Sequence, residues 1–508
     1  MDEKSPVSVQ RNAGYMTFEN VHERRRWYGL ILLCAAQFIV VLDGSVINVA
    51  MPTIGQAFGA DQQALTWVVS AYVLAFGGFL LLGGRLADLL GRRRMFVVGL
   101  VLFGVASLVG GFAGSIEVLI ATRVAQGLGA AILSPAAMSI ISVTFHDGIE
   151  RNKAYAAWGA VGGAGGAAGV VLGGVLTQYA GWQWVLWINV PIVACCLLLV
   201  VPLLAERRTD ISDRVFDFAG ATTVTAALTL LVYTLIEAPA WGWGSIRTIG
   251  SGAGVVVLFA AFVIVERRSR EPLVDLTIFR IRSLTGANLA GAVAGGLVVP
   301  MFFFLSLYLQ NVLRYDAITT GLCLVPMCVV TFGISLTLGS TLVTKWGYQP
   351  VLATGMALLG VGLAWFGRAA SDGSFAVDVL APGLVAGAGL GLVFTPLFVA
   401  AATGVDWRRA GLASGLINTS QQIGGALGLA VLSSVTFARL EEGNVATAET
   451  LTDGYTAAFD GAAVVAGIGL LVTVTVIRAR DSRAHVELTR RSRTTIPTPA
   501  TKPREPVS

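Results

Sequence analysis

Long apolar stretches separated by short polar connections fill almost the whole chain, and this pattern predicts membrane-crossing helices rather than a core surrounded by water. About twenty mostly apolar residues suffice for a helix to cross the roughly 30 Å of bilayer hydrocarbon. Fourteen such stretches can be read. Six come first, at residues 27–50, 64–83, 95–113, 116–145, 154–178 and 184–205. Two follow at 216–237 and 249–265, and then a second six at 284–309, 317–341, 351–367, 377–403, 410–437 and 457–477. The expected organisation is a tail (1–26), a six-helix bundle (27–205), a linker with two extra helices (206–283), a second six-helix bundle (284–477) and a closing tail (478–508). The fold class is therefore an all-α polytopic membrane protein.

Basic residues test that count, because short cytoplasmic connections concentrate Lys and Arg. With the N-terminus inside, 30 of the 35 fall in the tails and even-numbered connections. The odd connections hold only Arg247, Arg314, Arg368 and Arg439, and Arg123 lies inside a predicted helix. An extra or missed span in mid-chain would mix the two sets. The expected topology is fourteen spans with both termini cytoplasmic. The net charge of +5 then reflects topology, and no basic domain for nucleic acid is present.

Composition narrows the function classes. Of 508 residues only 13% are charged and 55% are hydrophobic, against about 25% charged in soluble proteins. The longest polar stretches are the two tails, so no soluble catalytic domain fits and no enzyme is expected. The G-x-x-x-x-G-K-[ST] phosphate loop does not occur, which argues against a built-in ATP-driven cycle. Cys34, Cys195, Cys196, Cys323 and Cys328 all lie in apolar runs and read as small buried side chains, with no disulfide and no metal expected. His22, His146 and His485 fall in polar flanks, which excludes a histidine proton relay within the membrane. Arginine outnumbers lysine 31 to 4, a hint of a GC-rich bacterial gene and so of a bacterial inner or plasma membrane.

An internal repeat links the two sixes. The connection GGRLADLLGRRR at 83–94 aligns without gaps with GSTLVTKWGYQP at 339–350. Gly83 matches Gly339, Leu86 matches Leu342 and Gly91 matches Gly347, at a constant offset of 256. Each is the second connection of its group. Duplicated bundles around a midplane site are the architecture of alternating-access transporters.

The first copy reads as a conformational latch. Asp88 can cap a helix N-terminus or pair with Arg92 or Arg93, while Gly83 and Gly91 permit close backbone approach. The plainer reading is a positive-inside anchor. In the fifth helix Gly159, Gly162, Gly166, Gly169 and Gly173 recur at spacings of 3, 4, 3 and 4, a face that lets another helix approach closely. Ordinary tight packing is the alternative.

Charges inside hydrocarbon are costly and mark candidate functional sites. Only Asp43 and Arg123 lie well inside predicted helices, and counting residues puts both about 10 Å from the outer end. Equal depth makes an ion pair geometrically feasible. Either the two merely stabilise each other, or Asp43 takes up a proton from outside, burial favouring the neutral carboxyl and the approach of Arg123 the ionised one. In the second case proton and cationic substrate would compete for one carboxylate. Asn48, Gln126, Asn288, Asn418 and Gln421 either bond across helices or line a substrate cavity, with Trp67, Tyr72 and Tyr308 as aromatic contacts for flat apolar compounds.

Several of these segments, in order along the chain, resemble a known family. The 83–94 connection resembles the signature loop of the major facilitator superfamily. VVLDGSVINVAMPTIG around Asp43, RVAQG from Arg123, and GWQWVLWINVPI from Gly181 resemble its fourteen-helix drug:proton antiporters, of the multidrug or antibiotic exporter type. GAVGGAGGAAGVVLGG resembles the antiporter motif, with Val170 where a proline is usual. The resemblance implies the major facilitator fold: two six-helix bundles plus an inserted two-helix hairpin. It also implies a latch at Gly83, Asp88, Gly91 and Arg92 that holds the outward-facing state, and proton coupling at Asp43 and Arg123. In the second copy Thr344 replaces Asp88, so that latch should be weaker or purely structural. The penultimate helix has Asn418, Gln421 and Gln422 but no acid, which argues against dicationic substrates.

The expected function is proton-coupled efflux of amphipathic small molecules, drugs or antibiotics, by alternating access. No cofactor is expected beyond the proton gradient. The expected partners are the small-molecule substrate, protons and the lipid bilayer, and a monomer suffices. The alternatives are a dedicated exporter of one metabolite, such as a siderophore, amino acid or lipid, and a non-transporting membrane sensor or scaffold.

Overall fold

A computed structural model describes residues 7–60, 62–145, 148–204, 217–269, 272–441 and 447–494, and among these every regular element is helical. In hydrocarbon no water can satisfy backbone polar groups, so a helix, which pairs them internally, is the form these apolar stretches must take. The first group comprises α1 (Val7–Phe58), α2 (Gln62–Leu90), α3 (Arg92–Gly111), α4 (Ile116–Thr144), α5 (Ile149–Tyr179) and a sixth span made of the short α6 (Trp184–Trp187) and α7 (Asn189–Leu203). The inserted hairpin is α8 (Phe218–Trp241) and α9 (Ile246–Arg268). In the second group α10 (Arg282–Leu307) continues into a π turn, and α11 (Ala317–Ile334) runs through another, Ser335–Gly339, into α12 (Ser340–Trp346). It is completed by α13 (Tyr348–Phe366), α14 (Ala381–Ala402), α15 (Ala410–Glu441) and α16 (Ala448–Val476), after which comes α17 (Ala479–Thr494).

Thirteen of these spans, among the described residues, are long and apolar enough to cross a membrane. A further helix, α15, occupies the place of the remaining expected span, but Thr419, Ser420, Gln421 and Gln422 make its middle polar. Two elements exceed expectation: α1 begins well before the apolar run, and the closing tail drawn from residue 478 contains α17. His146, the boundary drawn at residue 205 and the outer parts of both tails lie outside the described residues.

The repeat seen in the sequence recurs as packing. α1 lies along α5 as α10 lies along α15, and α3 lies along α4 as α13 lies along α14. Across the two groups α2 meets α15, and its counterpart α11 meets α5. The hairpin packs through α8 against α2 and α15, over the seam where the two groups touch. Trp67 of α2 stacks on Tyr233 of α8 with ring centroids 6.1 Å apart. Small residues allow this closeness: a side chain on Gly84 of α2 would meet the Gly411 carbonyl of α15 at 2.5 Å.

Candidate functional site

Asp43 on α1 and Arg123 on α4 meet inside the first bundle, where both are wholly excluded from solvent. Arg123 Nη1 donates to Asp43 Oδ2 at 2.5 Å and to Gln126 Oε1 at 3.0 Å, and its Nε donates to the Val68 carbonyl at 3.1 Å. The guanidinium carbon also lies 4.4 Å from the centroid of the Tyr72 ring, a cation–π contact. Asp43 Oδ1 accepts from Gln126 Nε2 at 3.1 Å and from Asn189 Nδ2 at 2.8 Å. Ser107 of α3 accepts from Gln126 at 2.7 Å and donates to the Phe103 carbonyl at 2.8 Å. Five helices of one bundle, α1, α2, α3, α4 and α7, are tied together by this network. A buried ion pair survives only when further hydrogen bonds satisfy its remaining polar atoms, and here nearly all are satisfied. Two polar atoms lack partners, Arg123 Nη2 and Asn189 Oδ1.

The chemistry follows from the pairing. The Asp43 carboxylate takes three donors, one of them the Arg123 guanidinium, and a proton delivered to it would cancel the charge that compensates Arg123. Asp43 has zero exposure here, so in this conformation it touches no solvent and no inter-bundle space. Direct competition of a cationic substrate for this carboxylate has no route in this state.

A second set of contacts closes the end that carries the 83–94 connection. The Asp88 carboxylate accepts backbone N–H groups of Gly411 at 3.0 Å and Leu412 at 2.9 Å, in the first turn of α15, and pairs with Arg92 at 3.0 Å. A carboxylate at a helix N-terminus satisfies orphan donors and faces the positive end of the dipole. Arg92 also donates to the Trp407 carbonyl at 2.5 Å, and Arg85 to that of Pro272 at 3.2 Å. Gly91 takes φ 101°, which suits glycine, and Arg93 follows in the first turn of α3. A side chain on Gly83 would collide with the Ala131 carbonyl. Close by, Arg151 of α5 donates to the Ala402 carbonyl at 2.7 Å. These ties bound a cavity of about 150 Å³ whose lining includes Met138, Ser142, Arg151, Trp407 and Ser414.

The glycines of α5 do not all serve one contact. A Cβ on Gly169 would meet Ser45 Cβ at 2.6 Å and the Leu42 carbonyl at 2.9 Å, and one on Gly173 the Val46 carbonyl at 2.9 Å. Both therefore press on α1 beside Asp43. Gly166 stands 4.0 Å from Ser45, Gly159 faces Phe394 of α14, and Gly162 has nothing within 4 Å. Gly165, which the spacing did not select, also packs on α1, 2.9 Å from Val41. Val170 packs against Gly321 of α11.

Of the cavity candidates, Gln126 and Tyr72 belong to the Asp43 network, and the Tyr72 hydroxyl donates to the Val40 carbonyl at 3.1 Å. Tyr308 is buried in the second bundle with its hydroxyl on the Ala370 carbonyl, while exposed Asn48 donates to Gly44 on its own helix. Asn288 accepts from Ser420 at 2.8 Å, joining α10 to α15. Asn418 reaches Met138 Sδ across the bundles at 3.9 Å, and Gln421 Nε2 is buried without a partner. Sequence reasoning did not single out Ser107 or Asn189. The signal for Asn189 was a lone amide inside the stretch GWQWVLWINVPI.

Residues 33–429 match the model of the Major Facilitator Superfamily. The chain is 40% identical over 456 residues to the cephamycin export protein CmcT of Amycolatopsis lactamdurans, covering 89% of this chain and 93% of that protein. It is 35% identical to the puromycin resistance protein pur8 of Streptomyces alboniger, covering 90% and 92%. With the tetracenomycin C resistance and export protein of Streptomyces glaucescens it shares 32% identity, covering 82% and 77%. In structure it resembles the human organic anion transporter MFSD10, with a TM-score of 0.66, 15% identity and coverage of 89% and 99%.

Proposed function

This chain belongs to the major facilitator superfamily and is of its drug-efflux type, and we propose that it is an antiporter that exports amphipathic small molecules in exchange for protons. The observation that carries the coupling claim is the Asp43–Arg123 pair, a fully buried charge couple held by a network confined to one bundle. A buried charge has a substantial cost, and neutralising one partner of such a pair leaves the other uncompensated. Protonation of Asp43 would thus be felt by α1, α2, α3, α4 and α7 at once, and would bias the bundle between two arrangements. Loss of the proton on the other side of the membrane would reset it.

The proposed cycle rocks bundles 27–205 and 284–477 around a cavity between them, with the proton gradient as the energy source and no bound cofactor. The segregation of 30 of 35 basic residues supports placing both termini in the cytoplasm of a bacterial cell. The small molecule, protons and the bilayer are the partners, and one copy suffices.

A second reading is a dedicated exporter of a single compound. It is favoured by the relative at 40% identity, whose name specifies export of one antibiotic. Inverted vesicles carrying the protein and offered a panel of amphipathic compounds from outside test both. Uptake of several unrelated compounds that collapses with the pH gradient supports proton-coupled multidrug efflux. Uptake of one member alone supports the dedicated reading, and uptake indifferent to the gradient refutes the coupling.

A further inference from the structure

The second copy of the latch carries Thr344 where the first carries Asp88, and a neutral hydroxyl cannot hold a helix N-terminus as a carboxylate does. Other residues meet at that place. Asn152, buried in the first turn of α5, donates through Nδ2 to Thr344 Oγ1 at 3.0 Å, and Thr344 donates onward to the Ser340 carbonyl at 2.7 Å. The amide oxygen of Asn152 can only accept, and His485 Nε2 reaches it from α17 at 3.3 Å. His485 also packs edge-on against Tyr348, with ring centroids 5.8 Å apart.

One turn earlier on α17, Ser482 Oγ accepts the backbone N–H of Gln349 at 3.1 Å. That N–H is one of the orphan donors in the first turn of α13, so Ser482 caps α13 from outside it. Gly347, which precedes α13 at φ 87°, would collide with Ser482 if it bore a side chain. Gln349 in turn donates through Nε2 to the Ile477 carbonyl at 2.8 Å. Ser482, His485 and Val486 stand at helical spacing and are 1%, 4% and 8% exposed, whereas Arg483 and Glu487 face outward.

We infer that α17 is a clasp that completes the second latch: it binds α13 through Ser482 and crosses to α5 through His485 and Asn152, supplying the tie between the bundles that Asp88 and Arg92 supply in the first copy. Asn152 belongs to the first bundle, and Thr344, Gln349 and α17 follow from the second. Opening this end would separate them and break the chain of hydrogen bonds. The inference rests on the alternating-access reading, but its test needs neither substrate nor gradient.

The full chain, with its five cysteines replaced, carries Ser414→Cys as a reporter in nanodiscs. Ser414 lines the cavity at this end and is 2% exposed, so a polar maleimide reaches the reporter only when the end opens further. His485→Ala should speed labelling about five-fold, the shift expected from one lost hydrogen bond, and separate deletion of residues 479–508, which also removes the Ser482 cap on α13, should speed it further. Adding Thr344→Asp to the shortened chain should slow it again, because a carboxylate there can accept N–H groups of α5. A rate unchanged by both variants overturns the inference. So does a faster rate that accompanies a fall in thermal stability and does not recover with Thr344→Asp.

Discussion

Arg123 Nη1 lies 2.5 Å from Asp43 Oδ2 with neither side chain exposed, so each charge is compensated almost entirely by the other. Removing one partner of such a pair typically costs about 3–5 kcal/mol. Asp43→Asn should therefore lower the unfolding temperature markedly. Adding Arg123→Gln should recover most of the loss, because no buried charge then remains. Thermal unfolding of the purified single and double variants checks this. Equal stability of wild type and Asp43→Asn would mean that the pair does not matter energetically.

The first latch gives a conformational prediction. Asp88→Asn keeps the shape but removes the charge that receives N–H groups from Gly411 and Leu412, and hydrogen bonds to charged groups contribute about 1.5–3 kcal/mol each. Spin labels at the exposed positions Leu90 and Trp407 report the separation of the two groups at this end. The variant should show a broader and longer distance distribution than the parent, together with slower export.

The α5 glycines can be told apart by a methyl group. Gly162→Ala adds a methyl where nothing lies within 4 Å and should leave export unchanged, with stability equal or slightly raised by about 1 kcal/mol of helix propensity. Gly169→Ala places it 2.6 Å from Ser45 and should push α1 away beside Asp43, lowering export severalfold. Initial export rates, corrected for the amount of protein in the membrane, decide between them. Equal rates would show that the seam does not position Asp43.

At the linker after the hairpin, Asp275 pairs with Arg409 at 2.8 Å. Hydrogen bonds from Thr277, its side chain first and then its backbone N–H, and next Arg409 hold the Asp275 carboxyl below the usual carboxylate range. A depressed acid stabilises the fold above its ordinary pKa and loses that contribution as pH falls through the depressed one. The groups are partly exposed, so the contribution is under about 1 kcal/mol. Asp275→Asn should lower the unfolding temperature slightly at neutral pH, and the difference should vanish in acid below the usual carboxylate range.

Much of this was legible in the chain. Hydropathy placed the helices, and the offset of 256 between the two connections reappears as matched packing of α1 on α5 and α10 on α15. Counting rise per residue put Asp43 and Arg123 at one depth, where they meet. Ser107 and Asn189 escaped notice because a single hydroxyl or amide in an apolar run carries no periodic signal. Their importance comes from the network around Asp43, which Asn189 joins directly and Ser107 through Gln126. The helix α17 escaped for a different reason. Its charges make it read as a solvated tail, and only the placement of Ser482 and His485 on one side reveals a docked face.

Substrate-driven proton movement in proteoliposomes, recorded with a pH-sensitive dye trapped inside, tests the coupling claim most directly. Adding an exported compound to wild-type vesicles should move protons in the opposite direction. Asp43→Asn should abolish this movement while the variant still exchanges labelled for unlabelled substrate across the membrane. Proton movement undiminished in Asp43→Asn would show that Asp43 does not couple protons to export.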